Sequence, residues 1–307
     1  MRINRYVRII KRIFLDKNYR FFIIANFGWY DKLDDIRFLK RKFKAIMGRD
    51  LNLDTPETFN EKLQWLKMHD RKQKYTVMVD KYLVRQYIAE QLGEKYLIPL
   101  LGVWEGPDEI DFDALPNQFV LKCTHNSGLG MCICKDKSVL DVQAVKRELE
   151  KGLKQNYYLT GREWPYKDIP RRIIAEEYLQ DQLSNEGLAD YKFFCFNGNV
   201  DCVMVCIGRQ TGNTKFYFFN KDWELLRINK SGKEAPAGFS LKRPDEIDKM
   251  FAIAGKLSMG IPFIRVDLYE CNHKIYFGEL TLYPQSGFDL NLLPETDLYF
   301  GGLIHID

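Results

Sequence analysis

The chain has 307 residues, 29% of them charged and 46% hydrophobic, and its 46 lysines and arginines outnumber 42 aspartates and glutamates for a formal net charge of +4. This is the composition of an ordinary globular protein large enough for two lobes, and it excludes a disordered or low-complexity chain. Neither a nucleic-acid partner nor a structural zinc is expected: charge is nearly balanced beyond the N-terminus, and the seven cysteines form no CxxC pair and have no histidine at ligand spacing.

Positive charge gathers at the start, in Arg2, Arg5, Arg8, Lys11, Arg12, Lys17 and Arg20, while Ile3, Val7, Ile10 and Phe14 recur at helical spacing. The pattern predicts a basic amphipathic helix. Two placements fit it: residues 1–20 lying on the anionic inner face of a membrane, or packed on the body with their charges in water. The apolar run Arg20–Trp29 falls short of the roughly 20 residues that span a bilayer and lacks a signal-peptide cleavage site, so a cytoplasmic protein is expected.

Thr55-Pro56 predicts the cap and first turn of a helix carrying Phe59, Leu63 and Leu66, and a second helix is predicted from about Thr76 to Leu92, ending before Gly93. The pattern changes at Phe119. FVLKCT and MCICK read as two strands joined by the polar loop His125–Gly130, and Asp141 then caps a helix carrying Val142, Val145, Leu149 and Leu153. The apolar run Ile173–Ala175 enters Glu176-Glu177-Tyr178-Leu179. KFFCF, VDCVMVCI and TKFYFF, separated by Asn-Gly and Thr-Gly-Asn turns, predict an antiparallel sheet, and a helix from Pro244 to Leu257 leads into IRVDLY and GELTLYP. The order predicts an α+β fold, with a mainly helical region over 1–115, a small subdomain over 116–175 and a C-terminal subdomain over 176–307.

Strand side chains alternate with period two, so Arg265 and Asp267 point the same way, and the next strand carries Glu279. Two carboxylates on one sheet face repel; a divalent cation with phosphate oxygens neutralises both, which makes Asp267 and Glu279 candidate ligands for Mg²⁺. Sharing a face demands the right register, which an odd-numbered connection such as Cys271-Asn272-His273 would supply. Lys122 precedes a loop whose backbone N–H groups and Ser127 can cradle phosphate, although the loop also reads as an ordinary polar turn. Glu176–Leu179 follows a buried strand, where backbone groups can pair with an adenine edge and a carboxylate with ribose; it also reads as a charged strand end.

In sequence order, Lys122, the small-residue loop, EEYL, DYKF, RVDLY and GELT resemble the nucleotide-site motifs of the ATP-grasp superfamily, whose fold grips ATP between two α+β subdomains. More narrowly, TPETFNEKLQWLKMHDR, VDKYLVRQYI, FVLKCTHNSG, ADYKFFCFNG and GELTLYPQSGF resemble the TupA-like ATP-grasp family, found among genes for capsule and teichuronopeptide-type surface polysaccharides. The resemblance runs from about Leu53 to Phe288. It implies that Lys122 and Lys192 contact ATP phosphates, that His125, Asn126, Ser127 and Gly128 close over them, and that Glu176, Glu177, Tyr178 and Leu179 hold adenine and ribose. It also implies that Arg265 stabilises the transferred phosphate and that Asp267 and Glu279 hold Mg²⁺, with Thr281 at a third position where the wider superfamily often has Asn.

Arg209 would meet a substrate carboxylate or an acyl phosphate, or it is a plain surface arginine. The implied reaction is ADP-forming ligation of a carboxylate, a uronic acid or an amino acid, to an amine co-substrate through an acyl phosphate. Two other readings stay open. One is a glycosyltransferase of the same pathway, since Asp111-Phe112-Asp113 matches a DxD motif; the other is a non-catalytic ATP-binding module that recruits partners through its N-terminal helices.

Overall fold

The computed structural model describes residues 15–180, 188–208 and 213–306; the helix predicted over residues 3–14, and Arg209, lie outside them. Among the described residues ten strands form two antiparallel sheets with helices packed around them, the α+β arrangement expected. The smaller sheet has the order β1-β4-β2-β3, from β1 (Leu100–Trp104), β2 (Phe119–Cys123), β3 (Met131–Cys134) and β4 (Ile173–Glu177). The larger has the order β10-β9-β5-β6-β7-β8, from β5 (Asp190–Phe196), β6 (Asn199–Ile207), β7 (Lys215–Phe219), β8 (Leu225–Leu226), β9 (Ile264–Cys271) and β10 (Lys274–Thr281). Because β1 pairs with β4, the stretch expected to be mainly helical also supplies an edge strand.

Each sheet has its own core. In the smaller one Phe119, Leu121 and Cys123 alternate inward along β2 and pack with Val145 and Leu149 of the helix Val142–Lys154, which Asp141 caps by accepting from the Ala144 N–H at 2.9 Å. The same alternation sends Lys122 to the opposite face. In the larger sheet, Phe193 packs against Phe251 of the helix Ile247–Ser258, and on the other side Phe59 is buried among Phe194, Phe196, Phe263 and Phe300. The helices Phe59–His69 and Pro294–Leu303 approach so closely that a Cβ at Gly301 would meet the Glu57 carbonyl at 2.0 Å.

Three helix boundaries differ from expectation. The first helix is capped by Thr58, whose hydroxyl and the Glu61 carboxylate form a reciprocal capping box; Thr55 is taken up by Asn52, which donates to its carbonyl and hydroxyl at 2.8 Å. The helix expected over 76–92 is two helices, Lys74–Val79 and Val84–Leu92. Asp80 divides them, because its carboxylate accepts the N–H groups of Tyr82 at 2.8 Å and Leu83 at 3.3 Å and competes with the helical ladder. The helix before β9 begins at Ile247, three residues after Pro244.

Candidate active site

The hairpin of β9 and β10 carries the paired carboxylates, and its turn is not the odd-numbered one expected. Asn272 (φ 51°) and His273 (φ 59°) form a two-residue turn, the left-handed pair typical of tight hairpins, and Cys271 pairs directly with Lys274. Phe277 pairs with Leu268, so an unbroken register would set Gly278 opposite Asp267 and turn Glu279 to the far face. A β-bulge at Gly278 corrects this by one residue and sets Glu279 opposite Asp267. Glycine fits there because a Cβ would lie 2.9 Å from the Tyr269 ring and 3.0 Å from the Asp267 carbonyl. Since Lys192 on β5 pairs with Asp267, a row Lys192, Asp267, Glu279 crosses three strands.

Arg265 ties this row together. It donates through Nε to Asp267 Oδ1 at 2.6 Å and through Nη2 to Asp267 Oδ2 at 2.7 Å, Glu279 Oε1 at 2.8 Å and Thr281 Oγ1 at 3.1 Å. Lys192 Nζ contacts Asp267 Oδ2 and lies 2.7 Å from Asp190 Oδ2. Burial pushes the Asp267 carboxyl up, against the pull of Arg265 and Lys192. Burial opposes charge at Glu279 too, but Arg265, Lys192 and Lys81 hold its carboxyl down at about 2; the side chain is 41% exposed and lines the cleft.

The row forms one wall of a cleft of about 750 Å³ between the two sheets. Across it stand Lys122 and the loop that joins β2 to β3. The loop is anchored from beneath: Asn126 donates to Gly152 O at 3.0 Å, and its own carbonyl accepts from Lys81 Nζ. Ser127 and Gly128 face the cleft, and Gly128 adopts φ +86° with no atom within 4 Å of where a Cβ would lie, which leaves its backbone open to a ligand.

A family model described as TupA-like ATPgrasp matches residues 61–305. The chain belongs to the TupA-like ATP-grasp family. No curated protein matches it. Among solved structures it is similar to D-alanine-D-alanine ligase from Helicobacter pylori, at 15% identity and a TM-score of 0.43, covering 81% of this chain and 69% of that one. It is also similar to the Bacillus anthracis D-alanine-D-alanine ligase complexed with ATP, at 15% identity and a TM-score of 0.43, covering 74% and 62%. A third is D-cycloserine synthetase DcsG, at 15% identity and a TM-score of 0.40, covering 75% and 69%. The chain thus spans about two thirds of the length of these proteins.

In this TupA-like ATP-grasp protein the cleft gathers Lys122, Asn126, Ser127, Gly128, Lys192, Arg265, Asp267, Glu279 and Thr281. Other expected residues do not line it. His125 is buried with Nε2 3.2 Å from Gln155 O, and burial lowers its pKa, favouring the neutral ring. Glu176 is held by Lys122 at 2.5 Å and Arg85 at 2.9 Å, Glu177 ends β4 opposite Phe119, and Tyr178 and Leu179 follow the strand; none of the four is in the cleft lining. Asp111 accepts from the N–H groups of Asp113 at 3.0 Å and Ala114 at 3.3 Å, a local turn outside the cleft lining.

The cleft also contains residues outside the set expected to form the site: Lys42, Lys81, Glu163 and Ser286. Lys81 and Ser286 lie inside the motifs VDKYL and GELTLYPQSGF, a signal that was available; Lys42 and Glu163 sit in no local pattern. The row suits Mg²⁺. Asp190, Asp267 and Glu279 bring three carboxylates together, balanced by the cations Lys192, Arg265 and Lys81, and Thr281 Oγ1 donates to Glu279 Oε1 at 3.1 Å beside them, a hard-oxygen donor set. No helix among the described residues is long and apolar enough to cross a membrane.

Proposed function

We propose that the protein is an ADP-forming carboxylate–amine ligase that activates a carboxylate with ATP as an acyl phosphate. The observation that carries this reading is the row Lys192, Asp267, Glu279, braced by Arg265 and facing Lys122 and an open glycine-containing loop across one cleft. Asp267 and Glu279 would hold Mg²⁺, with Thr281 beside them. When bound, Mg²⁺ would neutralise and orient phosphate oxygens. Lys122 and the backbone of Ser127 and Gly128 bind the phosphates from the other wall, and Lys192 and Arg265 stabilise the charge that develops as the γ-phosphoryl group moves to the carboxylate. The amine then attacks the acyl carbon and phosphate leaves. No protein nucleophile is needed.

The family's association with surface polysaccharides favours a uronic acid joined to an amino acid or amine. The basic residues 1–20 would hold the enzyme at the inner membrane face. The test is ADP and phosphate release with Mg-ATP across a panel of uronic acids and amino acids. Carboxylate-dependent ADP release that is lost in Asp267→Ala is expected; AMP as the product would overturn the acyl-phosphate route.

A further inference from the structure

The cleft continues past the phosphate region into an end formed by Lys42, Thr160, Glu163 and Ser286, which the phosphoryl chemistry does not use. Glu163 is 3% exposed, and the Ser286 hydroxyl donates to its Oε1. No cation forms an ion pair with it among the described residues. The fully buried Lys67 pulls electrostatically on Glu163 but directs its protons elsewhere, donating to Gln64 Oε1 at 2.9 Å and to the carbonyls of Gly161 and Ser286 at 2.8 Å each. Lys42 donates to Thr160 O at 2.5 Å and stands over the Phe288 ring, 5.0 Å from its centroid.

This end is built rather than incidental. Gln285 (φ 50°, ψ 26°) and Ser286 (φ 55°, ψ 27°) are consecutive left-handed residues that carry side chains, followed by Gly287 at φ 65°. Such strain persists only where surrounding contacts over-determine it. Here Gln64 Nε2 donates to Ser286 O at 3.0 Å and Gly287 O at 2.7 Å, and Lys67 donates to Ser286 O. A Cβ on Gly161 would strike Ser286 Oγ at 2.0 Å, so Gly161 leaves room for that hydroxyl against Glu163. Tyr157 and Tyr166 meet edge to face, with centroids 4.8 Å apart, beside it.

Lys42 and Glu163 feel each other's charge: burial lowers the Lys42 pKa to about 8 while Glu163 pulls it up, and burial raises Glu163 against the pull of Lys67, the Ser286 hydroxyl and Lys42. Yet the two form no ion pair. A buried carboxylate and a partly exposed ammonium that face one cavity without touching leave a gap that a ligand with both charges can bridge.

We propose that this end of the cleft binds the amine co-substrate and that the co-substrate is a free α-amino acid, its ammonium on Glu163 and its carboxylate on Lys42. The assignment rests on the ligase reading above. Ser286 orients the Glu163 carboxylate, and the two tyrosines wall the ammonium from water. Glu163 takes a proton from the ammonium, and the free α-amino group then attacks the acyl carbon of the acyl phosphate formed at the Lys192 and Arg265 end of the same cleft, forming the amide bond as the C–O bond to phosphate breaks and phosphate leaves.

The test is calorimetric titration of the protein loaded with Mg-AMP-PNP, using each proteinogenic amino acid and D-alanine, followed by the methyl ester and the N-acetyl derivative of any that bind. At least one free amino acid is expected to bind, with affinity falling at least ten-fold for both derivatives, for Glu163→Gln and for Lys42→Met, while both variants bind AMP-PNP within two-fold of wild type. Lys42 is partly exposed, so Lys42→Met stands even if Glu163→Gln does not fold. No binding by any free amino acid, equal binding of an ester or N-acetyl derivative, or an unchanged affinity in Lys42→Met overturns the proposal. A parallel assay traps acyl phosphates with hydroxylamine on the uronic acid and amino acid panel. Hydroxamate without amino-acid binding removes the subsite and keeps the ligase; binding without any hydroxamate or ADP removes the ligase reading and keeps the subsite.

Discussion

Glu279 lies directly across from Asp267 because Gly278 bulges out of the strand between Phe277 and Glu279. Gly278→Val puts a branched side chain where a Cβ would already lie 2.9 Å from the Tyr269 ring and 3.0 Å from the Asp267 carbonyl, which disfavours the bulge; in the unbroken ladder that replaces it, Glu279 turns to the opposite face. The expected result is loss of magnesium-dependent ADP release by about 10²–10³-fold, the scale of removing one preorganised charge-stabilising group. Far-ultraviolet circular dichroism should be unchanged. Activity within ten-fold of wild type would show that the bulge does not set the site.

The Glu279 carboxyl is held at about 2 by Arg265, Lys192 and Lys81 against the cost of burial. A carboxyl depressed below its unfolded value of about 4.3 contributes stability that is complete above that value and is lost as the pH falls towards about 2. Glu279→Gln should therefore melt below wild type at pH 7, and the gap should narrow below about pH 4.3. A gap in Tm that stays constant down to pH 3 contradicts the ion-pair account.

Lys81 Nζ reaches the Asn126 carbonyl in the loop between β2 and β3, the one proposed to bind phosphate. Lys81→Met leaves that loop without its support and removes a cation from the cleft. The KM for ATP should rise about ten-fold, corresponding to about 1.4 kcal/mol for one charged hydrogen bond, with a smaller change in kcat. A change confined to kcat would place Lys81 in the chemical step instead.

Lys67 is fully buried and donates to three acceptors. Lys67→Met fills most of the volume but orphans Gln64 Oε1 and the carbonyls of Gly161 and Ser286, so a loss of about 3 kcal/mol in stability is expected from urea denaturation. A loss below 1 kcal/mol would mean that water replaces those bonds.

Thr58→Ala removes one half of the capping box on the helix Phe59–His69. The expected cost is about 1 kcal/mol, with ADP release unchanged, because the cap lies outside the cleft lining. Thr55→Ala should cost less, which distinguishes the observed cap from the one the Thr-Pro pattern suggested.

Much was legible in the chain alone because it rests on short-range physics. The aromatic and β-branched runs of β5, β6 and β7 specify strands wherever they pack, the Asp141 side chain caps the helix three residues ahead, and period-two alternation puts Arg265 and Asp267 on one face. The motif order, with Lys122, Lys192, Asp267 and Glu279 in place, pointed to the family. Tertiary structure alone decided the rest. The bulge at Gly278 reflects packing against Tyr269 rather than turn length, and Glu176 belongs to Lys122 and Arg85 because β2 and β4 are neighbours. Lys42, Glu163 and Ser286 come from segments more than a hundred residues apart, and only long-range packing brings their charges and hydroxyl to one end of a cleft. Local propensity chooses the type of each element; register and the meeting of distant side chains depend on contacts that no sequence window contains.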